Sequence, residues 1–210
     1  MPEIISNNIN QKIYYSLWRI DESESELLSD IFEEKSEFET IKNQNSRLQT
    51  IASRVALKRL LEKHSYKYSG ILKNAIGKPE LKYLPLSCSI SHSKKYVLVC
   101  FSDSNQLNTL GCDIEKIQSR ILRLLPRVAT NNEVNYATDD AIKATQIWTV
   151  KEATYKAFGK LNIEFNSQIK SQIEEDEIKK VEINEIDKAA LTYQLFFDKH
   201  EEMVFCIAYK

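Results

Sequence analysis

Glycine and proline are scarce, four of each among 210 residues. Tight turns are therefore few, and a collagen-like or glycine- and proline-rich low-complexity chain is excluded. Cysteine is equally sparse: Cys88, Cys100, Cys112 and Cys206 form no CxxC pair and sit in apolar, strand-like contexts. That pattern excludes a zinc site of the usual spacing and a disulfide framework, and predicts reduced core thiols. Charge of one sign is missing too. Lys and Arg number 29 against 30 Asp and Glu, a net charge of −1, so no whole-molecule basic field exists to hold nucleic acid or an anionic membrane. Any anion site must be a local cluster. No apolar run approaches the ~20 residues of a membrane span, and the first residues lack the charged start and apolar stretch of a secretory signal. The expectation is a cytoplasmic protein. Hydrophobic residues at 42% and charged residues at 28% suit a globular chain and not a disordered one. The length allows one large domain or two small ones.

Ile13 to Ile20 is rich in aromatic and branched residues and predicts a strand. An acidic stretch from Asp21 to Glu39 carries Leu27, Leu28, Ile31 and Phe32 at helical spacing. From Asn45 to His64, Leu48, Ile51, Ala52, Val55, Ala56 and Leu60 recur at threes and fours, one apolar face of a helix. Arg47, Arg54 and Lys58 border that face as a basic stripe, which reads most simply as a solvated edge. A loop, NAIGKPE, precedes two short strands around a polar segment from Ser91 to Lys95, and residues 102–108 form a polar joint between two halves. Thr109 to Ile117 predicts a strand. Asp139 to Phe158 predicts a long helix with Thr138 as its cap and Gly159 as its stop. A charged segment follows, then two strand-like runs, LTYQLFF and MVFCIAYK, joined by DKHEE. Both halves end in similar hydrophobic strands, YVLVCFS and MVFCIAY.

The sharpest local feature is Leu110-Gly111-Cys112-Asp113-Ile114-Glu115. Strand alternation puts Asp113 and Glu115 together on one face, where a hard divalent ion would relieve their repulsion. A strand emerging into solvent with two screened acids fits the same residues. Glu152 and Lys156, four apart in a predicted helix, meet on one face, either as a surface ion pair or as a metal carboxylate and a phosphate-stabilising cation. Gly77-Lys78-Pro79 resembles the end of a phosphate loop but fails the Walker pattern, since Leu72 and Pro79 stand where Gly and Ser or Thr are needed. Ser91-His92-Ser93 gathers hydroxyls and an imidazole without the acidic neighbour that would suggest a Ser/His/Asp hydrolase.

Taken in order, NSRLQTIASR, GKPEL, SISHS, GCDIE and WTVKEATYKAFGK resemble the phosphopantetheinyl transferases, specifically the monomeric two-lobed type that activates surfactin synthetase and related carrier proteins. The likeness spans roughly residues 47–160. It implies an α+β fold of two similar lobes, residues 1–105 contacting coenzyme A phosphates and residues 106–210 carrying the metal site and catalytic helix, with the active site in the cleft between them. It further implies transfer of the phosphopantetheine arm of coenzyme A to a serine of an apo acyl or peptidyl carrier protein, releasing adenosine 3',5'-bisphosphate. In that likeness Asp113, Glu115 and Glu152 would hold Mg²⁺, with Mn²⁺ able to accept the same ligands. Lys156 would neutralise the transferred phosphoryl group. Arg47, Arg54, Lys78, Ser91 and His92 would grip the coenzyme A phosphates. The proton acceptor would be Glu152, a metal-bound water or Glu133, although Ala129 and Thr130 replace the aromatic residues that often precede that acid. Cys112 replaces a branched aliphatic.

Two other readings use the same residues. A metal-dependent phosphodiesterase or nuclease also assembles a D-x-E strand, a further acid and a lysine, but lacks here the basic surface that nucleic acid requires. An inactive carrier-binding module would not need all three carboxylates and Lys156. The carrier's pathway, whether fatty acid, polyketide or nonribosomal peptide synthesis, is not readable from these motifs.

Overall fold

The computed structural model describes residues 3–103, 109–185 and 187–210. The chain divides into two compact units, Met1–Asn105 and Gln106–Lys210. Of the polar joint at residues 102–108, positions 104–108 lie outside the described residues.

In the first unit, β1 (Glu3–Ile9), β2 (Ile13–Arg19), β5 (Ser87–Ser93) and β6 (Tyr96–Ser102) make a four-stranded sheet in the order β1-β2-β6-β5, every pair antiparallel. The acidic stretch splits into two short helices, α1 (Glu24–Ser29) and α2 (Lys35–Phe38). Ser23 starts the first with a reciprocal capping box to Glu26, an arrangement that satisfies two orphan donors. The periodic segment becomes α3 (Gln44–Lys63), capped by the Asn43 side chain on the Ser46 N–H at 2.9 Å. Its apolar face, Ile51, Ala52, Val55, Ala56 and Leu60, packs with Trp18, Val97, Val99 and Phe101 of the sheet. A small hairpin, β3 (Ile71–Lys73) and β4 (Pro79–Leu81), stands apart as a two-stranded sheet.

In the second unit, β7 (Leu110–Lys116) is followed by α4 (Arg120–Leu124), a tight turn at Leu125–Arg127, α5 (Asn131–Tyr136) and α6 (Ala141–Phe158). Then come α7 (Phe165–Gln168), β8 (Ile169–Glu174), β9 (Glu177–Ile183), β10 (Leu191–His200) and β11 (Met203–Tyr209). The sheet order is β7-β11-β10-β9-β8. The segment that reads as merely charged holds β8 and β9: Ile169, Val181 and Ile183 are buried while Lys170, Lys179 and Lys180 are exposed. α6 is capped by Asp140, whose carboxylate accepts from the Ile142 and Lys143 N–H groups at 2.8 and 3.1 Å. The expected cap, Thr138, instead donates its hydroxyl to the Asn135 carbonyl. Gly159 stops the helix in the left-handed conformation at φ +66°.

The same succession recurs in both units. A strand (β2 or β7) leads to a long helix (α3 or α6), a hairpin (β3–β4 or β8–β9) and a second hairpin (β5–β6 or β10–β11). In each, the last strand lodges beside the first. The cysteines follow the pattern. Cys88 and Cys100 lie on β5 and β6, Cys112 and Cys206 on β7 and β11, and all four are buried free thiols. Among the described residues no helix is long and apolar enough to cross a membrane.

α6 packs on β7 and β11 through Val150, Ala153, Ala157, Cys206 and Ala208. Its approach to β7 depends on a missing side chain. A Cβ at Gly111 would lie 2.1 Å from the Ala153 carbonyl oxygen and 2.3 Å from the Ala157 nitrogen. Both are helix backbone atoms that cannot turn aside. Gly111→Ala is expected to push α6 off the sheet and to destabilise the protein by roughly 3 kcal/mol, the upper range for overpacking; a urea midpoint equal to the unmutated protein's would show that the helix moves freely.

Candidate active site

Alternation along β7 turns Gly111, Asp113 and Glu115 to the face that α6 covers. On α6, Ala153 and Ala157 lie against Gly111, so the intervening stripe of Glu152 and Lys156 faces the two acids. The Lys156 ammonium donates to Asp113 Oδ1 at 2.7 Å and to the Cys112 carbonyl at 3.1 Å. Asp113 is 4% exposed. Burial works against the Lys156 charge, but Asp113, its hydrogen bond and Glu152 outweigh it and hold the ammonium above its ordinary pKa. The lysine is therefore a permanent cation.

Glu152 is the unusual acid. Burial, reinforced by the negative fields of Asp113 and Glu115 and opposed by Lys156, raises its carboxyl to about 7. The three carboxylates thus feel one another's charge. Among the described residues, no three His, Cys, Asp or Glu side chains are drawn together closely enough to hold a metal ion as they stand. The donor set is all carboxylate oxygen, under mutual repulsion that a hard divalent cation would relieve, so its chemistry fits Mg²⁺.

Glu133 has a different surrounding. It is fully buried, and its side chain completes the capping box of α5 by accepting from the Thr130 N–H at 2.7 Å. Its other oxygen accepts from the Ser171 N–H at 2.9 Å, and Lys151 lies 2.8 Å away, itself with no exposed surface. These bonds give Glu133 a structural task and leave no support for it as a proton acceptor. Lys151 lies in the WTVKEATYKAFGK segment, which gives it no role of its own. The available signal was its position: Ile147, Lys151, Thr154 and Phe158 follow one helical stripe, and a lysine in an apolar stripe needs a buried partner.

The basic residues of the first unit separate in the same way. Arg47 donates Nε to Glu24 at 3.0 Å and Nη1 to the Ile41 carbonyl at 3.1 Å, which fastens α1 and the loop after α2 to α3. Arg54 forms no ion pair among the described residues, and its charge reaches the buried Tyr68 phenol. Lys78 is half-buried. Its turn is held by the Asn74 side chain, which accepts the Lys78 N–H at 3.0 Å, and by Gly77 at φ +83°. Burial lowers the Lys78 ammonium pKa, with the nearby Cys88, Cys100 and Glu80 pulling the other way. Both Tyr68 and Lys78 feel Cys88, so Arg54 and Lys78 belong to one neighbourhood. Ser91 and His92 do not act as a unit. Consecutive residues of β5 point to opposite faces, Ser91 buried and His92 exposed, so they cannot grip one phosphate from one side.

The raised Glu152 carboxyl makes stability depend on pH. An acid whose folded pKa exceeds its unfolded value of 4.5 stabilises the fold fully below that value. The contribution is lost as pH rises through about 7. In EDTA, Glu152→Gln is therefore expected to be more stable than the unmutated chain at pH 8 by on the order of 2 kcal/mol, and equal to it near pH 4. A difference independent of pH in paired denaturation curves would show that Glu152 ionises normally.

A comparison with curated proteins finds no match. Residues 109–208, which contain Asp113, Glu115, Glu133, Lys151, Glu152 and Lys156, match the family model of the 4'-phosphopantetheinyl transferase superfamily.

Proposed function

We propose that this protein transfers the 4'-phosphopantetheine arm of coenzyme A to a serine of an apo carrier protein, as a monomer of two similar α+β lobes of the surfactin-synthetase-activating type. The observation that carries the reading is the pair of Lys156 with the buried Asp113, beside the raised Glu152 carboxyl, within the stretch that matches the superfamily. The match also favours a transferase over a metal nuclease. Residues 1–105 supply coenzyme A contacts and residues 106–210 the reacting groups.

In the reaction, the serine oxygen bonds to the phosphorus that carries pantetheine. The bond from that phosphorus to the bridging oxygen breaks, and its electron pair leaves with adenosine 3',5'-bisphosphate. The serine proton goes to Glu152, the carboxylate that lies with Lys156 on the face of α6 turned to Asp113. Lys156, kept charged by Asp113, opposes the negative charge that builds on the phosphoryl oxygens. Asp113, Glu115 and Glu152 would hold Mg²⁺, which when bound neutralises the pyrophosphate and polarises it for attack. Arg54, Lys78 and His92 bind phosphates of coenzyme A, and anchoring that long substrate aligns the pyrophosphate with the serine.

The direct test is the intact mass of an apo carrier protein after incubation with this protein, coenzyme A and Mg²⁺, with EDTA in a parallel sample. A gain of one phosphopantetheine only with the metal is the expected result; no gain across fatty acid, polyketide and peptide carriers overturns the reading. Asp113→Ala should lower turnover at least ~100-fold, the scale for losing one preorganised electrostatic group. Lys78→Ala should raise KM for coenzyme A more than for its 3'-dephospho form. Equal increases would remove Lys78 from the 3'-phosphate.

A further inference from the structure

Lys151 and Glu133 are a fully buried ion pair beside the reacting face of α6. An ammonium has three protons to give, and here each has a taker. They are Glu133 Oε2 at 2.8 Å, the Phe165 carbonyl at 2.9 Å and the Ile169 carbonyl. Glu133 in turn accepts from Thr130 N–H and Ser171 N–H. One lysine thus fastens α6 to the start of α5, to α7 and to β8. Burying two charges is costly, and a well-packed apolar pair is commonly at least as stable, so stability does not account for the arrangement. Direction does, because hydrogen bonds fix an angle that apolar contacts leave loose.

Lys151 immediately precedes Glu152, and successive residues on a helix project about 100° apart. While Lys151 is held on the α5 and β8 side, Glu152 and Lys156 face β7. There Gly111 lets the helix backbone rest against the strand. The helix is held on two sides and cannot roll about its axis. We infer that the Lys151–Glu133 pair is a positioning device that sets the rotation of α6 and so aims Glu152 and Lys156 at Asp113. Its catalytic consequence rests on the transferase reading above. Glu133 acts through the helix and does not touch the substrate.

The test compares the full chain with Lys151→Met, Glu133→Gln and the double variant, reading transfer kinetics and amide hydrogen exchange along residues 149–157. In the double variant, with both charges gone, we expect a folded protein whose kcat falls at least tenfold. Its KM for coenzyme A should stay within about twofold, and exchange in α6 should quicken at least tenfold relative to β10 and β11. Unchanged kcat, or unchanged α6 exchange, overturns the inference. So does a Glu133→Gln loss of a thousandfold or more with α6 exchange unaltered, the behaviour of a proton acceptor. Should the double variant fail to fold, Glu133→Asp keeps the charge but shortens the reach; a fall in kcat with faster α6 exchange then supports the inference, and no change in either overturns it. If the unmutated protein transfers nothing to any carrier, the transferase reading fails, while exchange in α6 still decides whether the pair holds the helix.

Discussion

The contact between α6 and β7 at Gly111 governs everything proposed for the second unit. With no side chain at that position, helix backbone and strand backbone meet almost directly, a Cβ there falling within 2.1 Å of a helix carbonyl. Lys156 can then reach across to Asp113 and to the Cys112 carbonyl. Partial burial there strengthens the charges where they pair and penalises them where they do not. The permanent cation at Lys156 and the reluctant acid at Glu152 are two results of one short spacing.

Much of this could be read in the sequence because it is local. Alternation in GCDIE puts Asp113 and Glu115 on one side, and the interval of four puts Glu152 with Lys156; both follow from the geometry of strand and helix alone. The long helices are legible from their apolar periodicity, since tertiary packing reinforces that face. What is not legible depends on partners distant in the chain. Glu133 finds Lys151 only because α5 folds back along α6, and no local pattern announces that meeting. The pair Ser91–His92 misleads in the opposite direction: adjacency in the chain is separation on a strand. β8 and β9 are hidden by their lysines and glutamates, which occupy the outer face and mask the few buried residues that make the strands.

The two units share a succession of strand, helix and two hairpins, yet they use their long helices differently. On α3, Arg47 holds α1 and the loop after α2. On α6 a lysine and a glutamate face the neighbouring strand and another lysine anchors the opposite side. A common scaffold therefore presents unlike chemistry according to which helix positions carry charge and what those charges find to bond.

The cysteines give this architecture a built-in gauge. Each sheet contains two thiols on paired strands, Cys88 and Cys100 in one, Cys112 and Cys206 in the other, and all are buried. A thiol reagent in solution can label them only when the elements packed over them, α6 in the case of Cys206, move away. The rate of modification at each pair therefore counts openings of its own sheet, so the separate breathing of the two halves can be followed without adding a probe to the chain.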